Sequence, residues 1–374
     1  MRILHLIDSG GVYGAERILL YLAREQQQRG HQPIIGSIAR PGIAETPLEA
    51  TARSWSVPVE SIRIPRQPTP AVIRALLGVR QDVKADLLHS HGYKANILLG
   101  PLPRRLRGPM LATLHGYTGT LRLSALWVYE HLDRIALRRL DSVVVVTRGM
   151  LELPAVRAIA PAKRCLIENG IPTLETRLAD LAAGYVPLPR NLVELTRRRP
   201  TLVAIGRLSA EKGFAGLIEA FGRANRARGD THQLLIVGEG PERAALAKSI
   251  AALGLDEGVT LAGYVAAADR LLETAAGFVM SSFTEGMPLV LMEALQWGVP
   301  ILATSVGAIP ELLQDGRAGE LVPPHDVEAL ARGLAAIMAR TAAAAAEARV
   351  SGLPSHFSSG RMADDYLRLY EAIT

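Results

Sequence analysis

The chain has one cysteine, Cys165, in 374 residues. That excludes an internal disulfide and any cysteine cluster for zinc, and it fits a reducing compartment. No run reaches the ~18 apolar residues of a membrane span. The opening MRILHLIDSGG breaks its apolar stretch at Asp8, too early for a secretory signal. We therefore expect a cytoplasmic protein, or one peripheral on the inner face of the membrane. Aromatic residues make up 5%, too sparse to favour a nucleic-acid binder that stacks on bases. Lysine is also rare, five against 37 arginines. A GC-rich gene explains that skew more simply than selection for phosphate forks.

What is present is ordinary globular composition: 49% apolar, 21% charged, 34 Gly and 23 Pro. Disordered and collagenous classes are excluded. The length suggests two domains at a prior of ~150 residues each. The net charge of +6 is uneven. Residues 1–170 hold 23 basic against 13 acidic side chains, and residues 171–374 hold 19 against 23. A basic half can face a membrane, a nucleic acid or a polyanionic substrate.

Both halves alternate short apolar runs with amphipathic stretches. Strands are predicted at 2–7, 33–38, 86–91, 109–115 and 142–147, with helices at 14–29, 70–82 and 122–140. Prolines and the run Arg197–Arg199 interrupt the pattern around 171–200, where we place a linker. Alternation resumes with strands at 201–206, 233–238, 258–263, 277–282 and 299–304. Helices follow at about 213–228, 241–253, 288–297 and 326–340. The alanine-rich stretch 341–349 reads as exposed helix, and a last amphipathic helix starts after Ser358 or Ser359. The predicted fold class is α/β, with two doubly wound parallel sheets. We assign 1–170 to one domain and 201–357 to the other, with 358–374 packing back on the first.

Ligands of such sheets bind at the carboxyl ends of strands, beside helix amino termini. In GRLSAEKGF (206–214), Arg207 and Lys212 flank the turn between a strand and a helix. Two cations beside free amides suit a diphosphate, and a surface turn with solvated charges fits equally well. In TEGMPLVLMEALQWGVP (284–300), Glu285 precedes a helix that Pro288 opens, and Glu293 lies inside it. Amides near Met287–Val290 suit phosphates, and two carboxylates suit sugar hydroxyls. A capped surface helix with two acids is the plainer alternative. The loop DSGGVYGAER (8–17) places Gly10, Gly11 and Gly14 after the first strand. Its spacing is not GxGxxG, and no acidic residue stands near position 35, which counts against a dinucleotide oxidoreductase. GEGPE (238–242) is a second turn of that kind. His115 and His91 end strands, with His89 two residues before the latter. A metal pair of His89 and His91 lacks a carboxylate or cysteine to complete it. No Asp-x-Asp occurs, so nothing matches the cation pair of single-sheet sugar transferases.

These pieces, in this order, resemble the family 4 glycosyltransferases, which have the GT-B architecture of two facing Rossmann-like domains. The resemblance covers essentially the whole chain and is carried by SGGVYGAER, HSHGYKA, TLHGY, ENGI, GRLSAEKGF, VGEGPE, EGMPLVLMEALQWGVPILAT and YLRLYEAI. It implies a metal-independent, retaining transfer from a nucleotide sugar, with no cofactor and with UDP-sugars favoured over GDP-sugars. Arg207 and Lys212 match the pair that neutralises the donor diphosphate. Glu293 matches the acid on the ribose, and Glu285 the acid that reads the transferred sugar. Gly286, Met287, Pro288, Leu289 and Val290 would hold sugar and phosphates. Glu239 and the turn Gly263, Tyr264, Val265 fall on the donor side, where the base is held. Gly10 and Gly11 match the glycines of the first domain that close on the donor, and the inserted VYG leaves the role of Gly14 open. His115 matches the histidine beside the reacting centre, with His91 and Tyr117 towards the acceptor. No side chain is expected to act as a nucleophile; a covalent adduct on Glu285 is the alternative.

The acceptor is expected to be lipid-linked or a glycan, in envelope or exopolysaccharide assembly. Arg104, Arg105 and Arg107, with Arg134, Arg138 and Arg139, suggest contact with an anionic membrane surface. A solvated helix face is the simpler reading of the same charges. The rival functions are another GT-B enzyme, such as a sugar-nucleotide epimerase or a phosphorylase, and a non-catalytic sugar-nucleotide binder. A phosphorylase would need a lysine for pyridoxal phosphate, and none of the five stands in a context that suggests it.

Overall fold

The structure is a computed structural model and describes residues 1–8, 11–65, 67, 69–116, 125–183, 188–229, 231–339 and 352–374, without the side chains of 125–128 and 180–183. The chain divides into two compact units, Met1–Pro172 with Ser355–Thr374, and Thr173–Pro354.

The first unit holds a parallel sheet of seven strands: β1 (Arg2–Asp8), β2 (Gln32–Ala39), β3 (Val59–Arg63), β4 (Leu87–Ser90), β5 (Met110–Leu114), β6 (Ser142–Val145) and β7 (Arg164–Leu166). Their order is β3-β2-β1-β4-β5-β6-β7. The central strands are apolar on both faces because helices cover both. Ile3, Leu4, Leu6, Leu87, Leu111 and Val143 to Val146 are at most 1% exposed. The helix Gly14–Gln28 turns Ile18, Leu19, Leu22 and Ala23 inward, as its spacing predicts. The helix Ser359–Ile373, capped by Ser358 on the Arg361 amide, buries Met362, Tyr366 and Tyr370 in this same unit.

The second unit has six parallel strands: β8 (Thr201–Ile205), β9 (Gln233–Val237), β10 (Val259–Gly263), β11 (Gly277–Met280), β12 (Ile301–Thr304) and β13 (Glu320–Val322). They run in the order β10-β9-β8-β11-β12-β13. Its core is built from Leu202, Leu217, Phe221, Ile236, Leu302 and Leu334, each 0% exposed. Burying each such side chain stabilises the unit by about 1.5–3 kcal/mol. The strand order reverses between β1 and β4 in one sheet and between β8 and β11 in the other. Those two switch points open crevices at the carboxyl ends of the strands.

The structure adds elements to the sequence expectation. Strands β3, β7 and β13 were not expected, nor were the helices Pro47–Ser54 and Tyr93–Leu99. The stretch 171–200, read as a linker, carries helices Leu174–Ala183 and Arg190–Arg198. The helix expected at 122–140 is described as Ala125–Leu137. The alanine-rich stretch 341–349 lies outside the described residues.

Candidate active site

In the second unit the chemistry gathers at the switch between β8 and β11. After β8 a single 3-10 turn, Ala210–Lys212, leads to Gly213, whose φ of +66° is the left-handed conformation that starts the helix Phe214–Arg226. A Cβ there would stand 2.2 Å from the Ser281 carbonyl oxygen, so only glycine lets the two loops meet. The Phe283 amide donates to the Glu211 carbonyl at 2.7 Å, and Ser281 Oγ donates to the Lys212 carbonyl at 2.9 Å. These bonds fix Lys212 against the loop after β11. Its Nζ donates to Glu285 Oε1 at 2.5 Å, and Ser282 Oγ donates to the same oxygen at 2.7 Å. Arg207 is exposed beyond the end of β8.

Pro288 stands at the amino cap of the helix Leu289–Trp297, where the Leu291 and Met292 amides donate to its carbonyl at 3.2 and 3.4 Å, so that the amides of Leu289 and Val290 are those without an acceptor within the helix. Met287, Pro288 and Leu289 are buried, while Gly286 and Val290 are half-buried. The Ala308 amide donates to the Gly286 carbonyl at 3.0 Å, which ties the loop after β12 to this turn. An ammonium, a carboxylate and a helix amino terminus thus converge at one crevice. That set suits a ligand carrying both a diphosphate and hydroxyls.

The turns expected to flank a base also meet. The Gly238 amide donates to the Gly263 carbonyl at 2.8 Å, and Glu239 pairs with Arg243 at 2.9 Å. Tyr264 projects 64% exposed from this turn, while Val265 is buried behind it.

Glu293 is placed differently from Glu285. It is 1% exposed, and Oε1 lies 3.5 Å from Arg177 Nη2. Arg177, on the helix Leu174–Ala183, also forms a contact pair with Asp269 and donates to Gln296 Oε1 at 2.5 Å. Trp297 Nε1 donates to Asp269 at 3.4 Å. Arg177 and Asp269 are 4% and 3% exposed. Sequence reading missed both residues: 92 positions separate them, and Arg177 falls in the stretch taken for a linker.

In the first unit the site residues lie around the β1–β4 switch. Gly11 is buried, and a Cβ on it would stand 2.7 Å from the Tyr13 ring. Gly10 and Tyr117 lie outside the described residues. Gly14 opens the helix Gly14–Gln28, where the Tyr13 amide donates to Glu16 Oε2 at 2.9 Å. His115 follows β5 and His91 follows β4. His91 Nδ1 lies 3.0 Å from His115 Nε2, and His91 Nε2 lies 3.1 Å from His5 Nδ1. His5 Nε2 meets Gln26 Oε1 at 2.9 Å. His89 sits beside them, with Nδ1 2.7 Å from the Tyr370 hydroxyl and Nε2 2.7 Å from Thr113 Oγ1. Burial holds all four imidazoles neutral. It lowers His5 and His115 to about 4, against a raising hydrogen bond from Gln26 at His5. It takes His89 and His91 well below the ordinary value, with help from the neighbouring rings. His5, His89 and His91 are close enough to hold one metal ion. All six of their ring nitrogens already have hydrogen-bond partners, which an ion would have to displace.

The basic patch divides. Arg107 is 2% exposed and donates to Asp141 Oδ2 at 2.8 Å and to the Arg139 carbonyl at 2.9 Å. It is a buried structural cation, which corrects its assignment to a membrane-facing surface. Arg104 also pairs with Asp141, at 3.3 Å. Arg105, Arg138 and Arg139 are exposed, and Arg134 is half-buried. Leu106, Leu132 and Ile135 stand 52%, 44% and 55% exposed among them. Leu140, next to Arg139, is fully buried.

Comparison with known families decides the class. The profile of Glycosyltransferase Family 4 matches residues 12–174, and that of Glycosyl transferases group 1 matches residues 199–340. The chain belongs to the family 4 glycosyltransferases. This family 4 glycosyltransferase is 28% identical to the phosphatidyl-myo-inositol mannosyltransferase of Mycobacterium leprae, over 96% of its own chain and 93% of the relative. It is 26% identical to the 2-deoxystreptamine N-acetyl-D-glucosaminyltransferase of Streptomyces fradiae, over 86% and 81%. Among solved structures, Anabaena HepE in complex with UDP and glucose superposes with a TM-score of 0.80 at 19% identity, covering 100% of both chains. Its two parallel-sheet units are those of the GT-B class.

Proposed function

We propose that this family 4 glycosyltransferase moves a sugar from a nucleoside-diphosphate sugar, with uridine as the favoured base, to a hydroxyl of a lipid-linked or glycan acceptor. The observation that carries the reading is the Lys212–Glu285 pair beside the amino terminus of the helix Leu289–Trp297. Departure of the nucleoside diphosphate builds negative charge on its β-phosphate. Lys212, Arg207 and the first-turn amides stabilise that charge without a metal. Glu285, relieved of Lys212 by the incoming phosphate, accepts from hydroxyls of the transferred sugar. Glu293, oriented by Arg177, takes the ribose hydroxyls. The base lies at Gly263–Val265 near Glu239, with Tyr264 offering an exposed ring. The acceptor hydroxyl attacks on the face the phosphate leaves, so the anomeric configuration is retained and the proton passes to the departing phosphate.

The phosphatidyl-myo-inositol relative supports a glycolipid acceptor. Exposed Leu132 and Ile135 near Arg138 and Arg139 support docking on an anionic membrane surface, at the inner face of the cytoplasmic membrane. No helix among the described residues is long and apolar enough to cross a membrane. A role in envelope or extracellular polysaccharide assembly follows from such an acceptor.

A thermal-shift panel of UDP-, GDP- and ADP-sugars, with Glu293→Ala as control, tests this reading. A ligand at a hundredfold excess over its Kd stabilises the native state by ~2.7 kcal/mol. A shift with one donor, lost in the variant, identifies the base. No shift with any donor contradicts the reading.

A further inference from the structure

We infer that Asp269 keeps Glu293 open to the donor by drawing the Arg177 guanidinium away from it, so that Asp269 and Arg177 are positioning residues for the ribose of a nucleoside diphosphate. The inference rests on the reading of Glu293 as the acid that takes the ribose hydroxyls, and it deepens that reading.

The residues concerned all lie in the second unit. Arg177 comes from the helix Leu174–Ala183, Asp269 from the 3-10 turn Ala268–Glu273, and Glu293, Gln296 and Trp297 from the helix Leu289–Trp297. Arg177, Asp269 and Glu293 are all buried. One guanidinium thus serves two buried carboxylates, and it serves them unequally. Arg177 Nη1 donates to Gln296 Oε1 at 2.5 Å, and Nη2 donates to Asp269 Oδ2. Glu293 Oε1 stands 3.5 Å from the same Nη2. That is an ion pair, longer than the ~2.7–2.9 Å of a charge-assisted hydrogen bond. Asp269 Oδ2 also accepts from Trp297 Nε1 at 3.4 Å, which helps to hold it in place.

This division of the guanidinium decides what Glu293 can do. A guanidinium presents parallel N–H groups that match the two oxygens of one carboxylate. The vicinal hydroxyls of a ribose present two donors to the same two oxygens. Both cannot be served at once. With Nη1 on Gln296 and Nη2 on Asp269, the fork does not close end-on upon Glu293. Its positive charge still lies near enough to offset that of the buried carboxylate.

Taking away the Asp269 charge leaves Glu293 as the carboxylate beside the fork. In a buried, low-dielectric setting a bidentate Arg177–Glu293 pair is then the favoured arrangement. That pair would occupy the oxygens that the ribose needs. Asp269 therefore acts through Arg177 rather than on the nucleotide itself.

Calorimetric titration of UDP and of 2′,3′-dideoxy-UDP, which lacks both ribose hydroxyls, into the full chain isolates the ribose contact. The native chain should bind UDP at least about tenfold more tightly than the dideoxy nucleotide, because two hydrogen bonds to a charged group are lost. In Asp269→Asn the preference should shrink below about threefold through weaker binding of UDP alone, with the affinity for dideoxy-UDP unchanged. Asp269→Asn/Gln296→Glu keeps the buried charge and divides the fork again, so the preference should return. A cluster that only supports the fold would weaken both nucleotides alike or neither. The inference is overturned if folded Asp269→Asn keeps the native preference or loses affinity for both nucleotides equally. It is also overturned if the folded double variant shows no preference, which decides the matter should the single variant fail to fold. No binding of UDP to the native chain, or equal affinity there for the two nucleotides, refutes instead the donor-site reading on which the inference rests.

Discussion

Lys212 Nζ reaches Glu285 Oε1 at 2.5 Å across the crevice between β8 and β11. Seventy-three positions separate the two residues, and each stands in the loop that follows its own strand, β8 ending at Ile205 and β11 at Met280. A cation and an anion side by side at a helix amino terminus are a ready site for a ligand that is both phosphate and sugar. We propose that Lys212 and Glu285 exchange partners when the donor enters, the phosphate taking the ammonium and the freed carboxylate taking hydroxyls.

The buried group around Arg177 should matter to stability. Arg177→Leu leaves the carboxylates of Asp269 and Glu293 facing a lost cation at 3% and 1% exposure. Breaking such a pair costs about 3–5 kcal/mol. Urea unfolding should show that loss, with a smaller one in the double variant Arg177→Leu/Asp269→Leu, where two of the charges leave together.

The four histidines should make the first unit acid-sensitive. Their folded affinities for protons lie below the unfolded value of about 6.5, with His5 and His115 near 4. Between those limits the unfolded chain binds more protons, so stability falls as pH drops from 6.5 towards 4. Urea melts at pH 7 and pH 5 should differ by several kcal/mol, and His5→Gln should reduce that difference. The activity profile between pH 5 and 8 should carry no ionisation of His115.

Asp133 should act in the opposite sense. It is fully buried and accepts from Asn96 Nδ2 at 2.9 Å. Burial pushes its carboxyl up to about 7, the Asn96 hydrogen bond opposes this, and the charge of Glu130 adds to it. The unfolded carboxyl releases its proton near pH 4 and the folded one near 7. Stability is therefore lost as pH rises through that window. Asp133→Asn should stabilise the protein by about 2–4 kcal/mol at pH 8 and by much less at pH 5. Melting curves at the two pH values check this.

The exposed arginines and the buried one should separate cleanly. Arg138→Ala with Arg139→Ala should weaken sedimentation with anionic liposomes at low salt by about tenfold and leave the melting temperature nearly unchanged. Arg107→Ala should lower the melting temperature, because it strips Asp141 and the Arg139 carbonyl of a buried donor. Unchanged liposome binding in the double variant would remove the membrane proposal.

The central strands were legible because covered parallel strands read as unbroken apolar runs, as in VVVV at 143–146. Of the four edge strands only β10, read at 258–263, was. VESIR in β3, RCL in β7 and ELV in β13 each lie at a sheet edge and carry no such run, so only their pairing makes them strands. The two loops that meet at Lys212 and Glu285 were legible from strand-turn-helix chemistry. Their contact was not, because it depends on Gly213 admitting the Ser281 carbonyl. Arg107 was misread because its partner Asp141 lies 34 positions on, while its sequence neighbours are arginines. The histidine cluster was invisible in sequence. It needs β1, β4 and the last helix in register, as where His5 stands opposite His89.

Calorimetric titration of UDP and of a UDP-sugar into the native chain, Lys212→Met and Glu285→Gln tests the donor site most directly. The account predicts that Lys212→Met weakens both ligands by at least about tenfold, through loss of a charge-assisted contact to phosphate. Glu285→Gln should weaken the UDP-sugar and spare UDP. Equal affinity of UDP for the native chain and Lys212→Met, or no binding of either ligand to the native chain, would contradict the account.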